Sequence, residues 1–263
     1  MSERAPATRA SLAADLRALG LEPGDAVLVH AALRKVGPVI GGADAVLWAL
    51  RDAVGPAGTV LGYTDWESNE DTYGDPELRP HVLPFDPLAS RAIRENGFFP
   101  EMLRTTPGAR RSGSPGASVA AIGGKAEWFT ADHPLDYGYG PGSPLAKLVE
   151  SGGKTLMLGA PLDTMTLLHH AEHLAEFAPK TVKRYQAPLL VDGVVVWREF
   201  EEFDTSEPPE GLPGDYFATI VGAFLEGGSG RQGLVGAAPS VLVEAREIVP
   251  FAVEWIERAM ARG

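Results

Sequence analysis

Short apolar runs recur along this chain, each closed by glycine or a polar residue, with stretches of helical period between them. Residues 26–29 (AVLV), 58–61 (GTVL), 118–122 (SVAAI) and 155–158 (TLML) have the length and continuous hydrophobicity of buried strands. Residues 10–19 read as a helix that Thr8 or Ser11 can cap and Gly20 ends. Further helices are predicted from Gly41-Gly42 to about Val54, over residues 86–95, and from Ser143-Pro144 to about Glu150. Strand, helix and strand with short links predict a parallel crossover unit between residues 26 and 61.

The second half of the chain changes rhythm. Residues 182–185 and 189–191 face residues 194–200 across Asp192-Gly193, a strong hairpin signal. A helix over 216–225 stops at Gly227-Gly228, residues 232–238 form a short glycine-containing stretch, and residues 243–260 read as an amphipathic helix broken near Pro250. The segment from Tyr63 to about Pro84 has no period and is rich in acidic and aromatic residues, among them Asp65, Trp66, Glu67, Glu70, Asp71 and Tyr73. A loop of that length inside a compact domain is functional or disordered. Neither a repeat nor a linker interrupts the chain, so residues 1–263 are expected to form a single α/β domain with a mixed sheet between helices.

Composition narrows the chemistry. The chain has no cysteine, which excludes disulfides, thiolate catalysis and Cys-ligated zinc. No apolar stretch approaches the ~20 residues of a membrane span, and the N-terminal residues lack a signal-peptide pattern, so a cytoplasmic protein is expected. A formal net charge of −12 argues against nucleic acid and is compatible with a cationic partner.

The chemistry concentrates in residues 156–176 (LMLGAPLDTMTLLHHAEHLAE), where an apolar strand closes at Gly159 and Asp163, Thr164 and Thr166 offer caps for a following helix. His169 and Glu172 lie three residues apart and can share one helix face. A histidine oriented by a carboxylate serves as a general base near neutral pH; the plain alternative is a satisfied helix histidine beside a surface glutamate. His169, Glu172 and His173 also satisfy H-x-x-E-H, the inverted zinc-peptidase pattern, which would need a third ligand from elsewhere. Arg110 and Arg111 stand among Gly and Pro, where they either hold phosphate groups or are ordinary surface charge.

One ordered set of motifs runs from about residue 8 to the C-terminus. It comprises Pro23-Gly24-Asp25, Val29-His30-Ala31-Ala32-Leu33-Arg34, Gly41-Gly42, Pro107-Gly108-Ala109-Arg110-Arg111-Ser112, Gly142-Ser143-Pro144, Leu158-Gly159-Ala160-Pro161, Thr166-Leu167-Leu168-His169 with Glu172, and Gly233-Leu234-Val235-Gly236. In this order the set resembles the aminoglycoside 3-N-acetyltransferase family. The resemblance implies that family's own α/β fold, distinct from the common N-acetyltransferase superfamily. Gln232 to Ala237 fits that distinction, with Val235 where the superfamily's pyrophosphate motif has its first glycine. It further implies acetyl-CoA as co-substrate, no metal, and acetylation of the 3-amino group of a 2-deoxystreptamine antibiotic, conferring resistance.

On this resemblance His169 is the general base, Glu172 orients it, and Thr166 orients the pair. Coenzyme A is expected along His30, Ala31, Ala32, Leu33, Lys35 and Val36, and along Arg111, Ser112, Ser118 and Ser143. His30 has two open roles, substrate contact or support of the turn. The cationic antibiotic is expected against Tyr63, Asp65, Trp66, Glu67 and Asp204, with Glu172 also meeting an ammonium group and Glu70 a further candidate. Monomer and homodimer both remain open. Two positions depart from the family: Ser114 precedes Pro115 where a histidine is usual, and Ala32 stands where serine is usual, which leaves hydrogen bonding at that turn to backbone. The alternatives are acetyl transfer to another polyamine-like or biosynthetic amine, a zinc peptidase, and a non-catalytic binding module.

Overall fold

Alternation along the predicted strands divides their side chains between two helical layers. In the computed structural model, which describes residues 5–66, 75–205 and 208–261, the chain begins with α1 (Arg9–Leu19) and β1 (Ala26–Ala31). It crosses through α2 (Gly42–Val54) to β2 (Thr59–Tyr63), which pairs with β1 in parallel, as the crossover pattern predicts. After α3 (Phe98–Thr105), the short β3 (Arg110–Arg111) and β4 (Val119–Gly123) add antiparallel strands beyond β2. Two helices, α4 (Ala126–Thr130) and α5 (Pro144–Glu150), lead to β5 (Lys154–Leu158), parallel to β1 on its other side.

Then follow α6 (Leu167–Leu174), the hairpin β6 (Val182–Val191) and β7 (Val194–Phe203), and α7 (Tyr216–Glu226). The chain closes with β8 (Arg231–Val235), β9 (Ala238–Glu244) and α8 (Ala245–Met260). The main sheet is seven-stranded, mixed, in the order β3-β4-β2-β1-β5-β9-β8. Val27, Val29, Val60, Leu156 and Leu158 point to the layer of α1, α2 and α3, where Leu12, Leu50 and Phe99 meet them. Leu28, Leu61 and Met157 point the other way, toward Phe129, Leu148, Leu168, Ile220 and Ile248 of α4 to α8. Each fully buried large apolar side chain contributes roughly 1.5–3 kcal/mol, so the two faces together fix the strand register.

Four local differences from the sequence reading have physical causes. Residues 86–95 do not form one helix but turns at 87–90, a bridge at Ala92 and the start of the 3₁₀ helix Arg94–Asn96, because Asp86 turns its carboxylate onto the Leu88 N–H (2.8 Å) and competes with helical bonding. Residues 98–105 are helical despite Pro100, which sits in the first turn where its missing N–H has no intrahelical partner to lose. Residues 232–238 resolve into β8 and the start of β9 around Gly236 (φ 59°), which moves the start of the last helix to Ala245. Pro250 lies inside α8 without breaking it, the helix being held by Ile248, Val249, Ala252 and Ile256 against the core.

The Asp192-Gly193 turn behaves as read, with both residues at positive φ (49° and 78°). The hairpin forms its own two-stranded sheet over a small core of Trp66, Phe85, Ala187, Leu189 and Phe200. Glu67, Glu70, Asp71 and Tyr73 lie outside the described residues. Among the described residues no helix is long and apolar enough to cross a membrane.

Ser143 caps α5, its Oγ accepting from the Ala146 N–H at 3.1 Å while wholly buried. We expect Ser143→Ala to lower the unfolding free energy by about 1–2 kcal/mol, read as an earlier denaturation midpoint with an unchanged denaturant slope.

Candidate active site

Three parallel strands, β2, β1 and β5, end together, and open α/β sheets gather ligands beyond such carboxyl ends. The chain leaves β1 toward β2 on one side and returns as β5 on the other, so a crevice opens between β1 and β5. A pocket of about 220 Å³ occupies this edge, lined by His30, Ala31, Ala32, Tyr63, Asn96 and Ala160, with other residues of the same loops. Small side chains keep it narrow. Lys35 lines a neighbouring pocket of about 300 Å³ with Gly159, Gln232 and Ser240. Between them the 3₁₀ helix Leu33–Val36 begins with N–H groups that have no partner within the helix, while Ala32 N–H is spent on Leu158 O at 3.0 Å. Val36 is buried.

Beyond β5 the 3₁₀ turn Leu162–Thr164 leads into α6, which carries the paired histidine and glutamate. His169 Nδ1 stands 2.5 Å from Glu172 Oε2. A carboxylate only accepts, so Nδ1 carries the proton and Nε2 keeps its lone pair. Glu172 is buried, and its other oxygen accepts from the Tyr216 hydroxyl. The imidazole is walled by the Tyr139 ring, tilted 30° at 4.9 Å, and by the edge-on Phe217 ring at 4.9 Å. Thr166 occupies the N-cap position without a side-chain cap bond, and its carbonyl accepts the His169 N–H at 3.0 Å.

His30 lies across from this pair. Desolvation first, and then the nearby His169, push its pKa down to about 4, so it is neutral near pH 7. Its Nε2 is enclosed without a hydrogen-bond partner. Tyr63 and Tyr139 join hydroxyls at 2.5 Å, and Tyr139 donates to Gly116 O at 3.0 Å. Burial, with the charge of Asp65, raises both phenols well above their ordinary range, so both stay neutral. A larger cavity of about 560 Å³ opens beside Glu172, lined also by Lys180, Phe203, Asp204 and Glu210. Thus α6 and the end of β7 place Glu172 and Asp204 on one cavity wall.

Several predicted contacts are engaged inside the protein instead. Arg111 is buried, donating from Nε to Ser118 Oγ (3.0 Å), from Nη1 to Ser90 O (2.6 Å) and from Nη2 to Thr64 O. Desolvation lowers its pKa to about 10. Ser112 Oγ accepts from the Val119 N–H and pairs with His133 Nδ1, and Ser143 caps α5. Arg111, Ser112, Ser118 and Ser143 are thus buried and bonded within the protein. Arg110, at the surface, pairs with Glu127 at 2.7 Å. Trp66 is likewise buried, 5.5 Å from Phe85, and belongs to the core under the hairpin.

The zinc-peptidase pattern separates in space. His169 and Glu172 bond each other, while His173 Nε2 lies 2.9 Å from Glu202 Oε1 among Tyr137, Tyr139 and Phe203. Among the described residues no group of three or more His, Asp or Glu is placed to hold a metal ion. Tyr139, Tyr216, Phe217 and Lys180 are site residues that the sequence reading missed. Tyr139 and Tyr216 lie 30 and 47 residues from His169, beyond the reach of any local spacing rule.

A buried carboxylate, an imidazole with a free Nε2 and a narrow crevice beside them can deprotonate a nucleophile close to an extended ligand arm. The family model described as aminoglycoside 3-N-acetyltransferase matches residues 28–257. The aminoglycoside N(3)-acetyltransferase III of Pseudomonas aeruginosa is 45% identical over 259 residues, covering 96% of this chain and 94% of its own. Among solved structures, "AAC-IIIb binary with CoASH" superposes with a TM-score of 0.95 at 63% identity, covering 97% of each chain. The structure titled "AAC-VIa bound to Sisomicin" does so with a TM-score of 0.92 at 36% identity, covering 97% of this chain and 99% of that one.

Proposed function

Because the chain belongs to the aminoglycoside 3-N-acetyltransferase family, we propose that it moves the acetyl group of acetyl-CoA to the 3-amino group of an aminoglycoside's 2-deoxystreptamine ring, with His169 as general base. Acyl transfer from acetyl-CoA follows from membership and from the coenzyme A complex of a 63% identical relative. The single observation that supports the base is the 2.5 Å contact of His169 Nδ1 with Glu172 Oε2. His169 Nε2 takes the proton of the attacking amine, whose nitrogen bonds to the thioester carbon. The C–S bond breaks, and the proton passes to the departing thiolate. Glu172 stabilises the transient imidazolium.

Residues His30 to Val36 contribute the wall of the coenzyme arm, their small side chains at Ala31 and Ala32 admitting a thin chain. The open N–H groups at the start of Leu33–Val36 supply donors there. Glu172, Asp204 and Asp65 are the groups for substrate ammonium ions, Glu172 and Asp204 on the 560 Å³ cavity and Asp65 beside Tyr63.

Free-thiol release from acetyl-CoA with a panel of 4,6- and 4,5-disubstituted aminoglycosides plus apramycin tests this reading. Turnover with at least one member is expected, and Asp204→Asn should raise KM for it about tenfold, the loss of one charge contact. Release no faster than with buffer for every member would sink the antibiotic reading and turn attention to other amines.

A further inference from the structure

Two consecutive residues at the start of α7 grip the two halves of the catalytic pair. Tyr216 donates its hydroxyl to Glu172 Oε1, and Phe217 sets its ring edge-on to His169. We propose that Tyr216 is the positioning residue of the pair, its hydroxyl fixing the Glu172 carboxylate on His169 Nδ1. The proposal rests on the reading of His169 as the base.

A buried carboxylate needs a donor for each oxygen. His169 serves Oε2, and the Tyr216 hydroxyl serves Oε1. Without it Oε1 stands buried and unpaired, and the carboxylate, having lost one of its two donors, draws harder on the His169 Nδ1 proton. The phenol remains a donor throughout, since burial and the neighbouring Glu172 charge raise its pKa. Tyr216 is also fixed by its own ring, which packs at 4.6 Å against Phe217. The other titratable or charged groups around the pair include His30 across the crevice, Tyr139 over the imidazole, and Lys180, Asp204 and Glu210 on the cavity wall. None of them is altered by removing one hydroxyl from α7.

The sign of the effect follows. A carboxylate that has lost a donor is more basic and stabilises the imidazolium more strongly, so His169 holds its proton to higher pH. Tyr216→Phe keeps the ring and removes only the hydroxyl. It should lower kcat about tenfold, leave both KM values within about twofold, and move the acid limb of the kcat/KM profile to higher pH. Because the hydroxyl acts through Glu172, adding Tyr216→Phe to Glu172→Gln should change kcat by less than about twofold. A wild-type rate and acid limb in Tyr216→Phe would overturn the proposal, as would the same tenfold loss in the Glu172→Gln background.

NMR titration of the His169 imidazole gives a readout independent of turnover. An upward shift of its midpoint in Tyr216→Phe is expected, and an unshifted midpoint overturns the proposal. Failure of the underlying reading shows differently, as activity retained in His169→Ala or as no wild-type turnover with any amine.

Discussion

His169→Ala should lower kcat by about 10³, within the 10²–10⁴ range for loss of a general base, with KM for acetyl-CoA little changed. Near pH 7 an aliphatic amine is mostly protonated, and only its neutral form attacks a thioester. A histidine with a free Nε2 takes up the proton that leaves; alanine leaves that task to water. The factor corresponds to about 4 kcal/mol of transition-state stabilisation. Because the imidazole stands between Tyr139 and Phe217, its removal also opens a gap between the two rings. Thermal unfolding of the variant separates that packing loss from the chemistry. Steady-state thiol release on a folded variant checks the prediction, and activity within tenfold of wild type would remove His169 from the base's role.

The second large effect concerns stability. Arg111 ties β3 to the chain after β2 through Thr64 O, to the turn at Ser90 through its carbonyl, and to Ser118 Oγ, with its guanidinium 4.9 Å from the centre of the Phe85 ring. Arg111→Ala leaves Ser90 O and Ser118 Oγ without this donor, where each unmet buried group costs about 1–3 kcal/mol, while Thr64 O keeps the Ser118 hydroxyl at 2.8 Å. Some of that returns because the buried cation no longer has to be desolvated. We expect a net loss of about 3 kcal/mol, roughly 6–12 °C in Tm for a domain near this size. KM for acetyl-CoA should stay within about twofold. The opposite pattern, a stable variant with a greatly raised KM, would return Arg111 to the phosphate role that its loop suggests in sequence.

That contrast shows what sequence carries here and what it does not. The crossover from β1 to β2 and the Asp192-Gly193 hairpin were legible because local pattern determines them: apolar runs of strand length, and a turn needing positive φ at both residues. His169 and Glu172 were legible as a pair because three residues on a helix bring side chains together. The burial of Arg111 and Trp66 was hidden in the sequence for one reason. A charged or aromatic residue in a glycine- or acid-rich loop looks exposed until the packing partners, Thr64 and Ser90 or Phe85 and Phe200, arrive from distant segments. Tyr216 and Tyr139 were invisible on the same ground, being chemically ordinary residues whose meaning comes only from what they touch. The β8–β9 hairpin was lost because Gly233, Gly236 and Pro239 read as loop, although Pro239 sits within β9 opposite Leu234.

The position of β5 also governs how this chain comes off the ribosome. Leu156 lies between Val29, made long before it, and Leu242, made long after. At about 5–20 residues per second, one edge of this fully buried strand waits several seconds for its partner while α6, the hairpin and α7 are synthesised. During that interval the nascent protein carries an open sheet edge beside α6, the kind of surface that pairs with strangers. Its last segment, β8 and β9, is therefore a closing seam, and a chain stopped short of residue 238 is a template for aggregation rather than a smaller enzyme.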